Sequence, residues 1–367
     1  MKLERILSPT DWRRAIAGRA DLAVKPQFAE SAAADVPPVA TATFDPQGYG
    51  RRLRVLVGYT HHDYGARRRG TSYETTAFRD PLYHLGCDVI EVRTDEWKQR
   101  HGPEGVSAVL MEMAFRHRPD IVFLIPFTDE LIPADLGVIR KELQVPVVAW
   151  FCDDHWRFDD FTTTFLPHLS AAVTTARVAL PKYRASGFDR VIGSQWSANH
   201  RVFRPLDLPE TCDISFVGQP HSNRRELVAR LQSAGLGVET RGFGWPEGRA
   251  TLSEMVRLCN QSRLCLNFSN ASMGRENQLK GRDFEIPAMR RPMLTAESAE
   301  LRDYFTDDEV ATYGSADDLV DRARQLLGDE ARRKAMAEAG YQRVIRDHTA
   351  EDRLAQVLTE VLHRGWV

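Results

Sequence analysis

The sequence predicts an α/β fold of two doubly wound, Rossmann-like domains facing a central cleft. Three observations carry that reading. A chain of 367 residues is two domains long, at roughly 150 residues per domain. Near-continuous apolar runs alternate with amphipathic helical patterns, as parallel strands covered on both faces require. The alternation occurs twice, on either side of Arg204-Pro205-Leu206-Asp207-Leu208-Pro209, a stretch that reads as linker and hinge.

Residues 1–50 read as an N-terminal extension. A short helical stretch around Asp11–Arg19 gives way to an Ala/Pro-rich segment, Ala29 to Pro46, without the periodicity of a packed element. A first domain, 51–205, then shows strand-like runs at Leu53–Tyr59, Val89–Val92, Ile121–Ile125, Val145–Phe151, Ala171–Thr174 and Val191–Ile192. Between the second and third, Val106, Val109, Leu110 and Met113 recur at i, i+3, i+4 and i+7, one apolar helix face. Pro81 is expected to kink or end the first helix, because it has no N–H and its ring meets the preceding turn. A second domain, 206–345, repeats the pattern. Its strands are expected at Asp213–Gly218, Val238–Arg241, Leu264–Phe268 and Pro292–Thr295, with helices near Arg224–Ala234, Leu252–Cys259 and Leu279–Met289. The tail, 346–367, carries an apolar helical stripe of Leu354, Val357, Leu358, Val361 and Leu362.

Composition narrows the function classes. Lys plus Arg is 49 and Asp plus Glu is 51, a net charge of −2; a general nucleic-acid binder would show a basic excess. With 43% hydrophobic and 9% aromatic residues the chain is no acidic disordered protein. No apolar run approaches the ~18–20 residues of a membrane span, and Met1-Lys2-Leu3-Glu4-Arg5 lacks the apolar core of a signal peptide. Five cysteines without CxxC spacing fit reduced thiols, so a cytoplasmic location is expected.

In a parallel sheet, ligands bind beyond the carboxyl ends of the strands, where strand order reverses. The common order 3-2-1-4-5-6 makes strands 1 and 4 neighbours at that point. Tyr59-Thr60-His61-His62-Asp63 would then face Cys152-Asp153-Asp154-His155-Trp156. Such residues suit three roles: a general base for a hydroxyl proton, ligands for Zn or Mn, or caps of loops and helix starts. After strand 1, Gly65-Ala66-Arg67-Arg68-Arg69-Gly70-Thr71-Ser72-Tyr73-Glu74 resembles a loop ending in a capping box. Its arginines suit an anionic ligand or a solvated basic loop. No Gly-Lys-Ser/Thr follows, so it is not a P-loop.

The second half holds Asn267-Phe268-Ser269-Asn270-Ala271-Ser272, then Gln278-Leu279-Lys280-Gly281-Arg282-Asp283-Phe284-Glu285. A helix from Gln278 would align Gln278, Gly281, Arg282 and Glu285 on one face. Gly281 admits a close backbone, and Lys280 and Arg282 fall in the first turn, where free N–H groups favour phosphate. Glu285 suits a pair of ribose hydroxyls. The face fits a nucleoside diphosphate; the bland reading is a surface helix with an Arg282–Glu285 pair worth about 0.2–0.5 kcal/mol. The turn Phe216-Val217-Gly218-Gln219, with Asn223 as cap and Arg224 as cation, suits the same phosphates.

At these residues the sequence resembles the GT-B glycosyltransferases, and within them the CgeB-like branch named after spore-maturation proteins. The resembling segments are Arg69–Glu74, Trp150–Trp156, Ser194-Gln195-Trp196-Ser197-Ala198-Asn199, Phe216–Pro220, Gly244-Trp245-Pro246 and Gln278–Pro287. The resemblance implies transfer of a sugar from a nucleoside diphosphate sugar, a co-substrate, to a hydroxyl of a polysaccharide, protein or small molecule, with no cofactor and no metal. The donor would lie on the second domain, its ribose on Glu285 and its phosphates on Lys280 and Arg282, among Gly218, Gln219, Asn223, Arg224, Ser269, Asn270 and Gln278. The final helix would cross back to the first domain. The acceptor would lie near His61, Gly70, Glu74 and Trp156, with Asp154 favoured as base ahead of Asp153, His62 and Asp63. One departure touches stereochemistry: many retaining GT-B enzymes carry a Glu eight residues before the ribose-binding one, where this chain has Asn277. Two rivals remain at this level. One is a metal-dependent hydrolase using His61-His62-Asp63 and Asp153-Asp154-His155; the other is a non-catalytic nucleotide- or glycan-binding module.

Overall fold

The computed structural model describes residues 43–269 and 277–367. The helix expected around Asp11–Arg19, and Asn270, lie outside them. The first sheet contains β1 (Arg54–Tyr59), β2 (Asp88–Arg93), β3 (Ile121–Leu124), β4 (Val147–Phe151), β5 (Ala171–Thr174) and β6 (Val191–Gly193). All pairings are parallel, in the order β2-β1-β3-β4-β5-β6. This corrects the expected order: β3, not β4, is the neighbour of β1. After a single outward step to β2 the chain returns to the far side of β1, so the reversal falls between β1 and β3. The ends of β1 and β4 are therefore two strand spacings apart, about 10 Å. Apolar periodicity marks strands but does not say on which side each is added.

Both faces of this sheet are buried. On one, Val106, Val109 and Leu110 of the helix Thr94–His117 pack with Leu56, Val122 and Leu124. That helix is interrupted at Gly102, whose φ is 68°, directly before Pro103. On the other face, Leu354, Val357, Leu358, Val361 and Leu362 of the final helix, Ala350–His363, pack with Val55, Val57, Phe123 and Trp150. Each such side chain contributes roughly 1.5–3 kcal/mol of burial free energy, so the end of the chain is held firmly on the first sheet. Pro81 does not end its helix. A π-helical turn, Thr75–Arg79, directly precedes the α-turns Asp80–Leu85, and the widened turn accommodates the missing donor.

Residues 204–211 form no regular element and lead to the second sheet. Its strands are β7 (Cys212–Val217), β8 (Val238–Arg241), β9 (Ser262–Asn267), β10 (Met293–Ala296) and β11 (Ala311–Tyr313), in the parallel order β11-β10-β9-β7-β8. Strand β11 escaped the sequence reading because three residues show no period. The order reverses between β7 and β9. Beyond β9, the expected helix from Gln278 starts later, as Gly281–Ala288. Lys280 is its N-cap residue in an extended conformation, its N–H donating to Asp283 Oδ2 at 2.8 Å. The buried Asp283 carboxylate also accepts from Asn267 (2.7 Å) and Thr295 (2.9 Å), which fixes the helix start to β9 and β10.

Candidate active site

A cavity of about 210 Å³ opens beyond the carboxyl ends of β1, β3 and β4. Thr60, Asp63, Tyr73, Glu74, Phe127, Cys152, Asp153, Asp154, Arg157 and Trp196 line it from the first domain, and Gly281 enters from the second. Strand order thus brings Asp63 and the Asp153-Asp154 pair to one cavity although β1 and β4 are not adjacent.

The carboxylates are differently placed. Asp154 is 2% exposed, and its oxygens accept from Thr162 Oγ1 (2.5 Å) and Tyr183 Oη (2.7 Å). Burial raises its pKa, against these hydroxyls. A carboxylate so committed holds the loop together, while Asp154 also lines the cavity where a base was expected. Glu74 is half-buried at the cavity wall, and burial pushes its pKa up to about 7, opposed by hydrogen bonds from its own backbone and Ser72. Ser72, rather than Thr71, caps this helix, its Oγ accepting from the Thr75 N–H at 3.2 Å. Asp63 accepts from Arg69 Nε at 2.9 Å and pairs with Arg249 of the second domain.

His61 and His62 turn away from the cavity. The His62 Nδ1 lies 2.7 Å from Asp95 Oδ2, and the His61 Nδ1 lies 3.3 Å from Thr75 Oγ1. Neither lines the cavity, which corrects the expectation of a base at His62. Trp156 is 43% exposed and also lies outside the lining. His155 is not brought to the histidine pair either. Among the described residues, the one group of three whose ligating atoms come within 4.8 Å is His61, His62 and Glu96, so the two clusters of the hydrolase reading do not merge. Gly70 closes the arginine loop, its carbonyl accepting from the Asp63 N–H at 2.9 Å. In that loop Arg69 lies between the rings of Tyr64 (4.4 Å) and Phe243 of the second domain (5.1 Å).

On the opposite wall, Gly281 at the helix start lines the cavity, directly after Lys280. A Cβ on Gly281 would sit 2.6 Å from the Tyr73 ring, so the two domains meet there with no room for a side chain. Burial lowers the Lys280 pKa to about 8, opposed by the nearby Asp153 carboxylate. Among the described residues its ammonium has no ion-pair partner within 4.0 Å. Glu285 is fully buried; Oε2 pairs with Arg282, while Oε1 is buried without a hydrogen bond among the described residues. A buried acceptor without a partner calls for a water, an ion or a ligand; Glu285 itself lies behind the cavity lining.

Other donor-side expectations change. Arg224 is 6% exposed and donates to the carbonyls of Gln219 (3.0 Å) and Phe268 (2.5 Å), bracing two loops. Asn223 is the N-cap residue of Arg224–Ser233 but makes no side-chain cap bond. Ser269 faces the core, its hydroxyl 3.0 Å from Thr295 Oγ1. Gln278 lies before the helix, 2% exposed, with Oε1 buried and without a hydrogen bond among the described residues. Gly218 ends β7, its carbonyl accepting from Trp245 Nε1 at 2.8 Å. Gln219 reaches the hydroxyl of Tyr64 across the cleft. Sequence reasoning missed Tyr64, Arg249 and Phe243, which come together from distant segments. Tyr73 and Trp196 were quoted within motifs, without a role of their own.

Residues 222–359 match a family described as glycosyl transferase-like. No curated protein matches the chain significantly. Among solved structures, Anabaena HepE in complex with UDP-glucose aligns at a TM-score of 0.57 and 11% identity, covering 84% of this chain and 100% of that one. Sucrose-phosphate synthase from Thermosynechococcus elongatus aligns at 0.56 and 11%, covering 85% and 99%. UDP-GlcNAc 2-epimerase from Neisseria meningitidis, bound to UDP-GlcNAc, aligns at 0.52 and 10%, covering 85% and 100%. At such identities the likeness establishes the architecture: two Rossmann-like domains in the GT-B arrangement.

Proposed function

We propose that this GT-B-fold glycosyltransferase moves a sugar from a nucleoside diphosphate donor on Lys280, Arg282 and Glu285 to an acceptor hydroxyl deprotonated by Glu74. The observation that carries the reading is the helix start at Gly281 on a carboxylate-lined cavity, with Lys280 directly before it and close enough to feel the Asp153 charge. The Lys280 ammonium, without an ion-pair partner among the described residues, and the helix N-terminus behind it suit a diphosphate, whose charge grows as the sugar leaves. The open Oε1 of Glu285 suits a ribose hydroxyl. A carboxylate with a pKa near 7 is matched to accepting a hydroxyl proton at neutral pH. Asp153 and Asp63 orient the sugars between them.

Because Lys280, Arg282 and the helix start supply the positive charge, the diphosphate needs no metal. A uridine nucleotide is the first donor base to test, since HepE and the epimerase were solved with UDP sugars. The epimerase shares the fold, so the fold alone does not select transfer; the acceptor-side Glu74 supports it. We place the chain in the CgeB-like branch on the Gln278–Pro287 segment, and in the cytoplasm on its five free cysteines. The acceptor is a polysaccharide, a protein or a small molecule.

The test is a thermal-shift panel of nucleoside diphosphates and their sugars, with and without EDTA, for wild type and Glu285→Ala. A shift for one base that persists in EDTA and disappears in the variant supports the donor site. No shift with any nucleotide overturns it.

A further inference from the structure

We propose that His61, His62 and Glu96 hold a divalent metal ion, Zn2+ by their chemistry, that ties the end of β1 to the helix starting at Thr94. Ligating atoms of the three residues all lie within 4.8 Å of one another. Two imidazoles and a carboxylate form a set that suits zinc, with a fourth position left for water. Both rings are already oriented through Nδ1: His62 by the Asp95 carboxylate at 2.7 Å, and His61 by Thr75 Oγ1 at 3.3 Å. A ring held through one nitrogen presents the other, and a carboxylate behind a ligating histidine is the usual second partner of a metal site. Asp95 fixes the backbone as well, accepting from the His61 N–H at 2.7 Å and the His62 N–H at 3.2 Å.

The surrounding charge permits a cation. The Arg93 guanidinium beside the group is itself shared between Glu91 and Glu96, each at 3.5 Å. None of the three ligands lines the cleft cavity, so this ion is separate from the donor diphosphate. Its place at the root of the loop carrying Asp63 and Arg69 gives it a role in holding that loop against the second domain.

The experiment uses the full chain without an affinity tag, stripped with EDTA. Zn2+ binding is followed by calorimetry, and retained metal by mass spectrometry after desalting. The expected result is one Zn2+ per chain, with affinity lowered at least tenfold in His62→Gln and Glu96→Gln. Asp95→Asn, which keeps all three ligands, is expected to lose about 10–100-fold. Co2+ in place of zinc should give visible absorption bands that vanish in the ligand variants. Absence of stoichiometric zinc on the wild type overturns the proposal, as does equal affinity across the variants. Circular dichroism in EDTA confirms folding, and if one ligand variant fails to fold the other decides.

Discussion

Replacement of Glu74 by Gln should slow transfer and stabilise the protein at the same time. Burial holds the Glu74 carboxyl at about 7 instead of 4.5. Below 4.5 the group is protonated in both folded and unfolded chains. Between 4.5 and 7 the folded chain keeps a proton that the unfolded chain has released, so rising pH destabilises the fold across that window. The full displacement corresponds to roughly 3 kcal/mol, and residual solvent access at the cavity wall reduces it to about 1–2 kcal/mol. Gln removes the buried charge, so the variant should melt roughly 2–8 °C above wild type at pH 8 and equal to it near pH 4.5. Removal of a general base lowers turnover by about 10²–10⁴-fold. In the wild type, about a tenth of Glu74 is ionised at pH 6, so kcat/KM should climb as pH rises through 7. Burial also sets Lys280 near 8, so the same profile should fall above pH 8 as that charge is lost. The descending limb should be weaker in kcat, because bound diphosphate holds the lysine proton. Initial rates between pH 5.5 and 9, with calorimetry at both ends, test this. A flat ascending limb, or a loss below fivefold in Glu74→Gln, would refute the assignment of the base.

Glu285→Ala removes the carboxylate proposed to hold the ribose, whose Oε1 is buried without a hydrogen bond among the described residues. At about 1.5–3 kcal/mol for a charge-assisted bond, nucleotide affinity should fall about 10–150-fold by calorimetry. Asp154→Ala leaves the Thr162 and Tyr183 hydroxyls without their acceptor, so it should cost about 1–3 kcal/mol of stability. Abolished turnover with an unchanged melting temperature would instead return Asp154 to the role of base. Gly281→Ala places a methyl group against the Tyr73 ring, which Trp196 and the Ser197 carbonyl hold in place. It should cost about 1–3 kcal/mol and lower turnover, and a second change, Tyr73→Leu, should recover the melting temperature.

Much of this was legible in one dimension. Runs such as Val55-Leu56-Val57 and Val147-Val148-Ala149 read as parallel strands, because they are short and β-branched and a sheet covered on both faces buries consecutive apolar residues. The stripe from Leu354 to Leu362 declared a helix with one buried face, and the Gln278–Pro287 segment marked the charged groups on which a donor site is proposed. What the sequence by itself determined was therefore the kind of each element and the stock of chemical groups. Tertiary structure alone decided which groups are free to act. Strand order places Asp63, Glu74 and Asp153 on one cavity yet turns His61 and His62 toward Asp95. Two hydroxyls from Thr162 and Tyr183 commit Asp154, and two carbonyls commit Arg224. Glu74 and Lys280 are left with charges poised near neutrality, because desolvation depends on what the rest of the chain packs around a group, and local spacing does not encode that.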